Sequence, residues 1–246
     1  MQEDDHSRPI GDCRSCRFKS SLLLMEACVP GDCCVQVESG RQIDRFFRRN
    51  PHLATQYLND VFWERRAIAV RYAPVERLSS MINDPDEAVR RAVAYRLPRE
   101  QLVALMNDSD REVRITVADR LPINLLEAMA NDEDYLVRAY LAQRLPAGRL
   151  FRLMRDSDRQ VRKWVAKRLP EESLGLMLDD PEPEIRRLIA ERLSCEELAP
   201  LLHDSDWTVR LAAVLRAPLA MLHTLKNEEP DPEVTAAIEE RLNTNL

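Results

Sequence analysis

Glycine is scarce in this chain, with five in 246 residues. Phosphate-cradling sites need clustered glycine, because only a residue without a side chain lets backbone N–H groups approach the phosphate closely. No G-x-G-x-x-G and no G-x-x-x-x-G-K-S/T occurs, which argues against the Rossmann and P-loop classes. Long apolar runs are missing too, and none approaches the roughly 20 residues of a membrane-spanning helix. The opening MQEDDHSRPI is acidic and lacks an apolar core, so no secretory signal is expected and the chain reads as soluble and cytoplasmic. The four histidines, His6, His52, His203 and His223, are scattered, without an H-E-x-x-H or a nucleophile–base pattern. No enzyme is expected, and no catalytic residue is assigned.

A basic excess is absent as well. Residues 50–217 hold 26 Lys and Arg against 28 Asp and Glu, residues 218–246 hold 2 against 6, and residues 1–49 balance at 8 and 8. Nucleic-acid binders usually carry surplus positive charge, so nucleic acid is an unlikely partner on this count.

Cysteine is almost missing from the chain after residue 34, where Cys195 stands alone. The other five fall in GDCRSCRFKSSLLLMEACVPGDCC, residues 11–34. In a reducing compartment such a cluster more often binds metal or does redox chemistry than forms disulfides. The spacing is Cys13-x2-Cys16-x11-Cys28, followed by x4 to Cys33 or x5 to Cys34. Structural zinc usually draws on two tight C-x2-C knuckles. Here the second pair is wider and irregular, which iron–sulfur clusters tolerate. The spacing alone leaves an iron–sulfur cluster, zinc, disulfides and plain buried thiols open, with the cluster ahead. Gly31 and Asp32 are expected to make the turn that swings the last ligand back. Arg14, Arg17 and Lys19 lie beside the cysteines, where they either offset cluster charge or are ordinary surface charges.

What the chain has in abundance is a period of 24. Pro74, Pro98, Pro122, Pro146, Pro170 and Pro218 share the grid, with Ser194 in the vacant slot. Leu78, Leu102, Leu126, Leu150, Leu174, Leu198 and Leu222 keep the same step, as do the columns begun by Asp84, Arg90 and Arg96. In NDPDEAVRRAVAYRLP, Asp84 reads as an N-cap, Pro85 as N1 and Glu87 as the far half of a capping box. The acids two residues past that cap suit the helix dipole at its N-terminus, and the Arg96 column suits it at the C-terminus. Val89, Val93 and Leu97 share a face, flanked by Ala94, and the next proline ends the helix. The rest of the unit is too short for a second full helix, so a 3₁₀ or single-turn helix is expected, and nothing alternates as a strand would. One such module cannot bury enough apolar surface to fold alone, which is the logic of a solenoid.

Residues 50–73 read as a worn first unit, in which Tyr72 and Ala73 replace Arg and Leu. Residues 218–246 read as a last one that gains two residues before Val234. Both are expected to cap a stack of about eight units spanning residues 50–246, behind a cysteine-rich domain at 1–49. The segment RQIDRFFRR, residues 41–49, joins the two, with Phe46 and Phe47 packing at the junction. Arg90 and its equivalents are expected half-buried, paired with the Asp84 and Asp86 columns in a ladder that fixes register. A basic stripe for phosphate is the rival reading. Cys195 is expected to pack quietly. Trp63, Trp164 and Trp207 sit at helix positions suited to packing or a partner contact.

The cysteine-rich head, followed by units of the form L-x2-L-M-x-D-x-D-x2-V-R-x2-V-A-x-R-L-P, resembles the leucine-rich repeat variant family over essentially the whole chain. The resemblance implies an all-α fold: a right-handed superhelical solenoid alternating α- and 3₁₀-helices, without β-sheet, behind a small N-terminal iron–sulfur domain. It implies a 4Fe–4S cluster held by Cys13, Cys16 and Cys28, with Cys34 as the fourth ligand and Cys33 as the alternative. The function expected is a non-enzymatic interaction scaffold for a protein partner, with an electron carrier docking a redox partner as the alternative.

Overall fold

The computed structural model describes residues 9–243. The N-D-x-D stretch of a repeat opens a ten-residue α-helix, as in Glu87–Arg96, Arg111–Arg120, Tyr135–Arg144 and Arg159–Arg168. The leucine before each proline is forced into extended backbone and stops the helix: Leu97 has φ −55° and ψ 147°. A seven-residue 3₁₀ helix follows in most units, including Val75–Met81, Arg99–Leu105, Ala147–Leu153 and Glu171–Met177. The tighter helix has a geometric reason. Ten α-helical residues rise about 15 Å, and seven 3₁₀ residues rise about 14 Å where seven α-helical ones would rise only about 10 Å. The shorter leg thus spans the same distance. The Leu78 column is fully buried along its whole length, as are Val89, Val93, Ala94 and Leu97.

The helix start differs from the sequence expectation. Asp86, not Asp84, is the N-cap of Glu87–Arg96 and accepts from Ala88 N at 3.0 Å. Asp110, Asp134, Asp158 and Asp206 do the same in their units. Glu87 is therefore the first helical residue and no half of a capping box. Asp84 is freed for another task. Its Oδ1 accepts from Asp86 N at 2.9 Å, and both its oxygens accept from Arg66, at 2.8 and 2.9 Å.

That pairing is the ladder. Arg66–Asp84, Arg90–Asp108, Arg138–Asp156, Arg162–Asp180 and Arg186–Asp204 are all bidentate, each joining one unit's arginine to the next unit's aspartate. The remaining guanidinium nitrogen donates to the carbonyl of its own unit's column aspartate, as Arg138 does to Asp132 O at 2.7 Å. The second arginine column works in the opposite direction. Arg168 reaches back to Ala142 O at 2.8 Å and Leu145 O at 2.7 Å, satisfying the last carbonyls of the preceding helix. Arg96, Arg120, Arg192, Arg216 and Arg241 repeat the move.

The chain divides into two compact units, with the boundary between Leu125 and Leu126. The first holds the cysteine-rich segment, the helix Gly40–Arg49 and the first repeats. There Tyr72 occupies the place of the backward-reaching arginine, and its hydroxyl lies 2.8 Å from Asp44 Oδ1. Phe46 and Phe47 are buried, and Phe47 packs edge-on against Tyr57 with centroids 5.3 Å apart.

The second unit contains two departures from the period. Around Ser194 the helix Pro183–Ala190 has eight residues, as does Trp207–Val214 in the next repeat, and Pro200, which has no N–H, lies in a 3₁₀ leg divided into Cys195–Glu197 and Ala199–His203. At the end, Glu229 takes the ladder position from Asp204 and Arg241 the backward position from Arg216. Both are displaced by 25 residues, so the last unit gains one residue rather than the two expected.

Among the described residues there is no β-strand; Val29 and Cys33 form an isolated antiparallel bridge. No helix among them is long and apolar enough to cross a membrane. His6 lies outside the described residues.

Candidate metal centre

Three turns carry the clustered cysteines, and one helix holds the turns in place. A turn closed by Cys16 N on Cys13 O (3.4 Å) sets the first two thiols side by side. Ala27 N and Cys28 N both donate to Leu22 O, closing the loop that delivers Cys28. Gly31 has φ +80°, a conformation that costs glycine nothing, and it turns the chain so that Val29 and Cys33 exchange backbone hydrogen bonds, both at 2.8 Å. Gly31 and Asp32 thus make the turn the sequence suggested.

The helix Gly40–Arg49 ties all three down. Gln42 donates from Nε2 to Pro9 O at 2.8 Å, just ahead of the Cys13 segment, and its backbone carbonyl accepts from Cys34 N at 3.3 Å. Arg45 pairs with Asp32 in the turn. Asn50, just past the helix end, donates to Ala27 O at 2.8 Å beside Cys28. Gln42 and Asn50 are buried polar residues that sequence reasoning missed. The one hint was that Gln42 stands 24 residues before Arg66, on the ladder column.

All five cysteines, Cys13, Cys16, Cys28, Cys33 and Cys34, line one small cavity, with Phe18 and Phe46 in its wall. All six cysteines of the chain are free thiols. Among the described residues, no three His, Cys, Asp or Glu side chains are placed to hold a metal ion. Gly11 borders the cavity, and a Cβ there would stand 2.8 Å from Cys34 Sγ, closer than atoms can approach.

Burial pushes the Cys28 thiol up to about 11, and neighbouring Cys16, Cys34, Cys13 and Cys33 push it the same way. Cys13 is raised by burial and then by Cys34, Cys16 and Asp12, with Lys19 opposing. Cys33 is also raised by burial, but its surroundings differ. Its Sγ lies 3.8 Å from Ala27 O, and the Arg49 guanidinium opposes the rise. Cys34 raises Cys33 as well, so Cys33 belongs to the same group of thiols.

Of the nearby cations, Arg14 is tied to Asp12 on the surface, and Arg17 stands over the rings of Phe18 and Tyr57, 4.7 and 5.1 Å from their centroids. Cys195 lies in the second unit, with Arg216 4.0 Å from its sulfur. His52, His203 and His223 are exposed. Trp63 and Trp207 are 43% and 42% exposed, whereas Trp164 is half-buried beneath Lys167.

Two family models match the chain. One, described as the LRV protein FeS4 cluster, covers residues 8–56. The other, described as the leucine rich repeat variant, covers residues 87–110, 135–158 and 159–182. A solved structure described as a leucine-rich repeat variant with a novel repetitive protein structural motif is 72% identical. It aligns over 95% of this chain and 99% of its own with a TM-score of 0.90. An uncharacterized 27.7 kDa protein from the nifB 3′ region of Rhodobacter capsulatus is 40% identical over 86 residues, 35% of each chain. The match spans about a third of that curated relative's length.

Proposed function

The chain belongs to the leucine-rich repeat variant family, and on that footing we propose that its head holds a 4Fe–4S cluster through Cys13, Cys16, Cys28 and Cys34 while its repeats serve as a scaffold for a protein partner. The observation that carries this reading is the single cavity onto which all five clustered thiols open. The wide, irregular spacing of the second cysteine pair suits an iron–sulfur cluster better than the two tight knuckles of structural zinc. Gly11 keeps the wall clear beside Cys34. Cys34 is proposed as the fourth ligand, with Cys33, whose surroundings include Arg49, as the alternative.

A cluster bound by four thiolates supplies one-electron chemistry and has no open iron for a substrate. The protein's own part is to fix the thiols through Gln42, Arg45 and Asn50 and to wall the site with Phe18 and Phe46. The arginine columns are turned to carboxylates and carbonyls inside the repeats, which weakens the case for phosphate binding. The scaffold reading follows from the extended surface that stacked modules present.

Protein purified and kept without oxygen tests the proposal through iron and sulfide content and the visible and EPR spectra. Cys13→Ser, Cys16→Ser, Cys28→Ser and Cys34→Ser should lose the cluster, whereas Cys33→Ser and Cys195→Ser should keep it. Colourless wild-type protein without iron and sulfide would sink the reading. An electron-carrier role is the second reading, favoured by Ile10, Leu24 and Met25, which are 73%, 77% and 67% exposed on the same head. Failure to reduce the cluster reversibly would eliminate it. For the scaffold, capture of a defined partner without oxygen should require the repeats; capture by protein lacking them would count against it.

A further inference from the structure

The repeats balance their charge as a whole but not locally. Residues 135–170 hold ten Lys and Arg against two Asp and Glu, a net +8, while residues 171–246 hold seven against 17, a net −10. Arg138 and Arg162 belong to the ladder, and Arg168 reaches back to carbonyls. Arg149, Arg152 and Arg155 serve neither purpose. They lie along the 3₁₀ leg Ala147–Leu153 and the turn after it.

A 3₁₀ helix has three residues per turn, so residues three apart stand in line. The leg therefore carries three ridges. Leu150 and Leu153 form the buried one. Gly148, Phe151 and Met154 form the second, with Phe151 44% exposed. Arg149, Arg152 and Arg155 form the third, and all three are exposed. Glu127 of the preceding unit accepts from Arg149 at 3.2 Å and from Arg152 at 3.3 Å, so the two point the same way. Arg155 borders an open cleft with Leu176 and Asp179, and among the described residues it makes no ion pair.

The repeat is its own control, because what the fold requires recurs every 24 residues. At the three arginine positions the seven other units carry a single Lys or Arg, Arg77. At the Phe151 position they carry no other Phe, Tyr or Trp. Folding alone thus calls for neither the ring nor the arginines. Gly148, and Gly175 at the Phe151 position of the next unit, would each meet nothing within 4 Å if given a Cβ. Neither has the positive φ that demands glycine. The ring stands above bare surface that no packing inside the chain explains.

We propose that this face of the 3₁₀ leg docks a protein partner through an acidic segment that also carries an apolar residue. Its carboxylates meet the arginines, and its apolar side chain lies on the Phe151 ring. The inference rests on the scaffold reading and names the contact. Glu127 already shows that a carboxylate fits between two of the arginines. Aromatic residues and arginine are also the types enriched where proteins meet. Nucleic acid is the poorer occupant. A single strand needs successive rings to stack on and a cationic groove to follow. Here there is one ring, and the residues that follow are acidic.

The test uses the full chain, purified without oxygen, and three labelled probes: a glutamate peptide with one central leucine, poly-glutamate of the same length, and single-stranded DNA of the same charge. Binding is followed by fluorescence anisotropy at about 50 and 200 mM salt, and urea midpoints show that each variant is folded. Wild type should hold the leucine peptide more tightly than poly-glutamate, and both more tightly than DNA. Arg155→Glu should weaken both peptides about tenfold, because like charges then meet, and Arg155→Gln should weaken them less. Phe151→Ser should bring the leucine peptide down to the level of poly-glutamate. Arg77→Glu, at the Arg149 position of another unit, should change nothing. No peptide binding by wild type at the lower salt, or equal losses in Arg155→Glu and Arg77→Glu, overturns the inference. DNA held more tightly than either peptide, and released by Arg155→Glu, overturns it in favour of nucleic acid. A defined partner that needs the repeats yet holds Arg155→Glu as tightly as wild type overturns it and leaves the scaffold reading standing, whereas a partner captured without the repeats overturns the scaffold reading itself.

Discussion

Removing Arg138 should break one rung of the ladder at a place where the cost can be reckoned. Its side chain is 12% exposed and that of Asp156 is 6% exposed. The pair is bidentate at 2.7 and 2.8 Å, and a third bond goes to Asp132 O at 2.7 Å. Arg138→Ala leaves a nearly buried carboxylate with the Asp158 N–H at 2.8 Å and removes the bond to the Asp132 carbonyl. Breaking a buried pair from one side costs about 3–5 kcal/mol, and the low end applies because this rung borders solvent. With an m-value of about 3 kcal/mol/M, the urea midpoint of the affected unit falls by roughly 1 M. Arg41, exposed at the surface, serves as the control, and Arg41→Ala should stay within about 0.5 kcal/mol of wild type. A double-mutant cycle with Asp156→Asn should return a coupling of about 1–3 kcal/mol that survives 0.5 M salt, since buried pairs are poorly screened. Equal midpoints for Arg138→Ala and Arg41→Ala, or a coupling near zero, would refute the ladder as a source of stability.

Three further outcomes follow from the same geometry. Asp110→Ala removes an N-cap and should cost about 1 kcal/mol, while Asp108→Ala two residues earlier removes a rung partner and should cost about 3 kcal/mol; the reverse order in urea melts would restore Asp108 as the cap. Burial works to raise the carboxyls of Asp108, Asp204 and Glu229, but the hydrogen bonds from Arg90, Arg186 and Arg210 outweigh it and hold all three below the usual range. Their contribution is therefore fully present above about pH 4 and lost as the pH falls through the lowered folded values, so a melting temperature that stays flat from about pH 4 to 2 would contradict it. Gly11→Ala forces a methyl against Cys34 Sγ and should cut iron and sulfide loading without moving the urea midpoint of the second unit; full loading would show that the cavity wall yields freely there.

Most of the repeat was legible because its physics is local and repeats on a fixed step. Proline after leucine, one buried leucine per short leg, and valines one helical turn apart each specify a conformation without help from distant residues. The cap was misread because Asp84 and Asp86 are equally good capping residues, and the sequence does not say which one an arginine from the preceding unit will claim. The Arg96 column was read as a dipole partner, whereas its guanidinium serves carbonyls 23 to 26 residues back, a partnership visible only once the modules are stacked. In the head, cysteine chemistry announced the site, but the tethers Gln42 and Asn50 are common polar residues in a helix and at its end. Only their burial marks them out.

A module that carries both arginine columns has a forward clasp and a backward one, as Arg90 and Arg96 show. In the first unit Arg66 grips Asp84, and Arg96 returns to the carbonyls at Val70 and Ala73. Excise residues 74–97 and Arg66 would meet Asp108, while Arg120 would find the sites Arg96 vacated. A gene encoding such a chain can therefore shed or duplicate whole 24-residue copies without inventing new fasteners. The cysteine-bearing end is exempt from that freedom, because there Tyr72 fastens to Asp44 instead of an arginine to carbonyls.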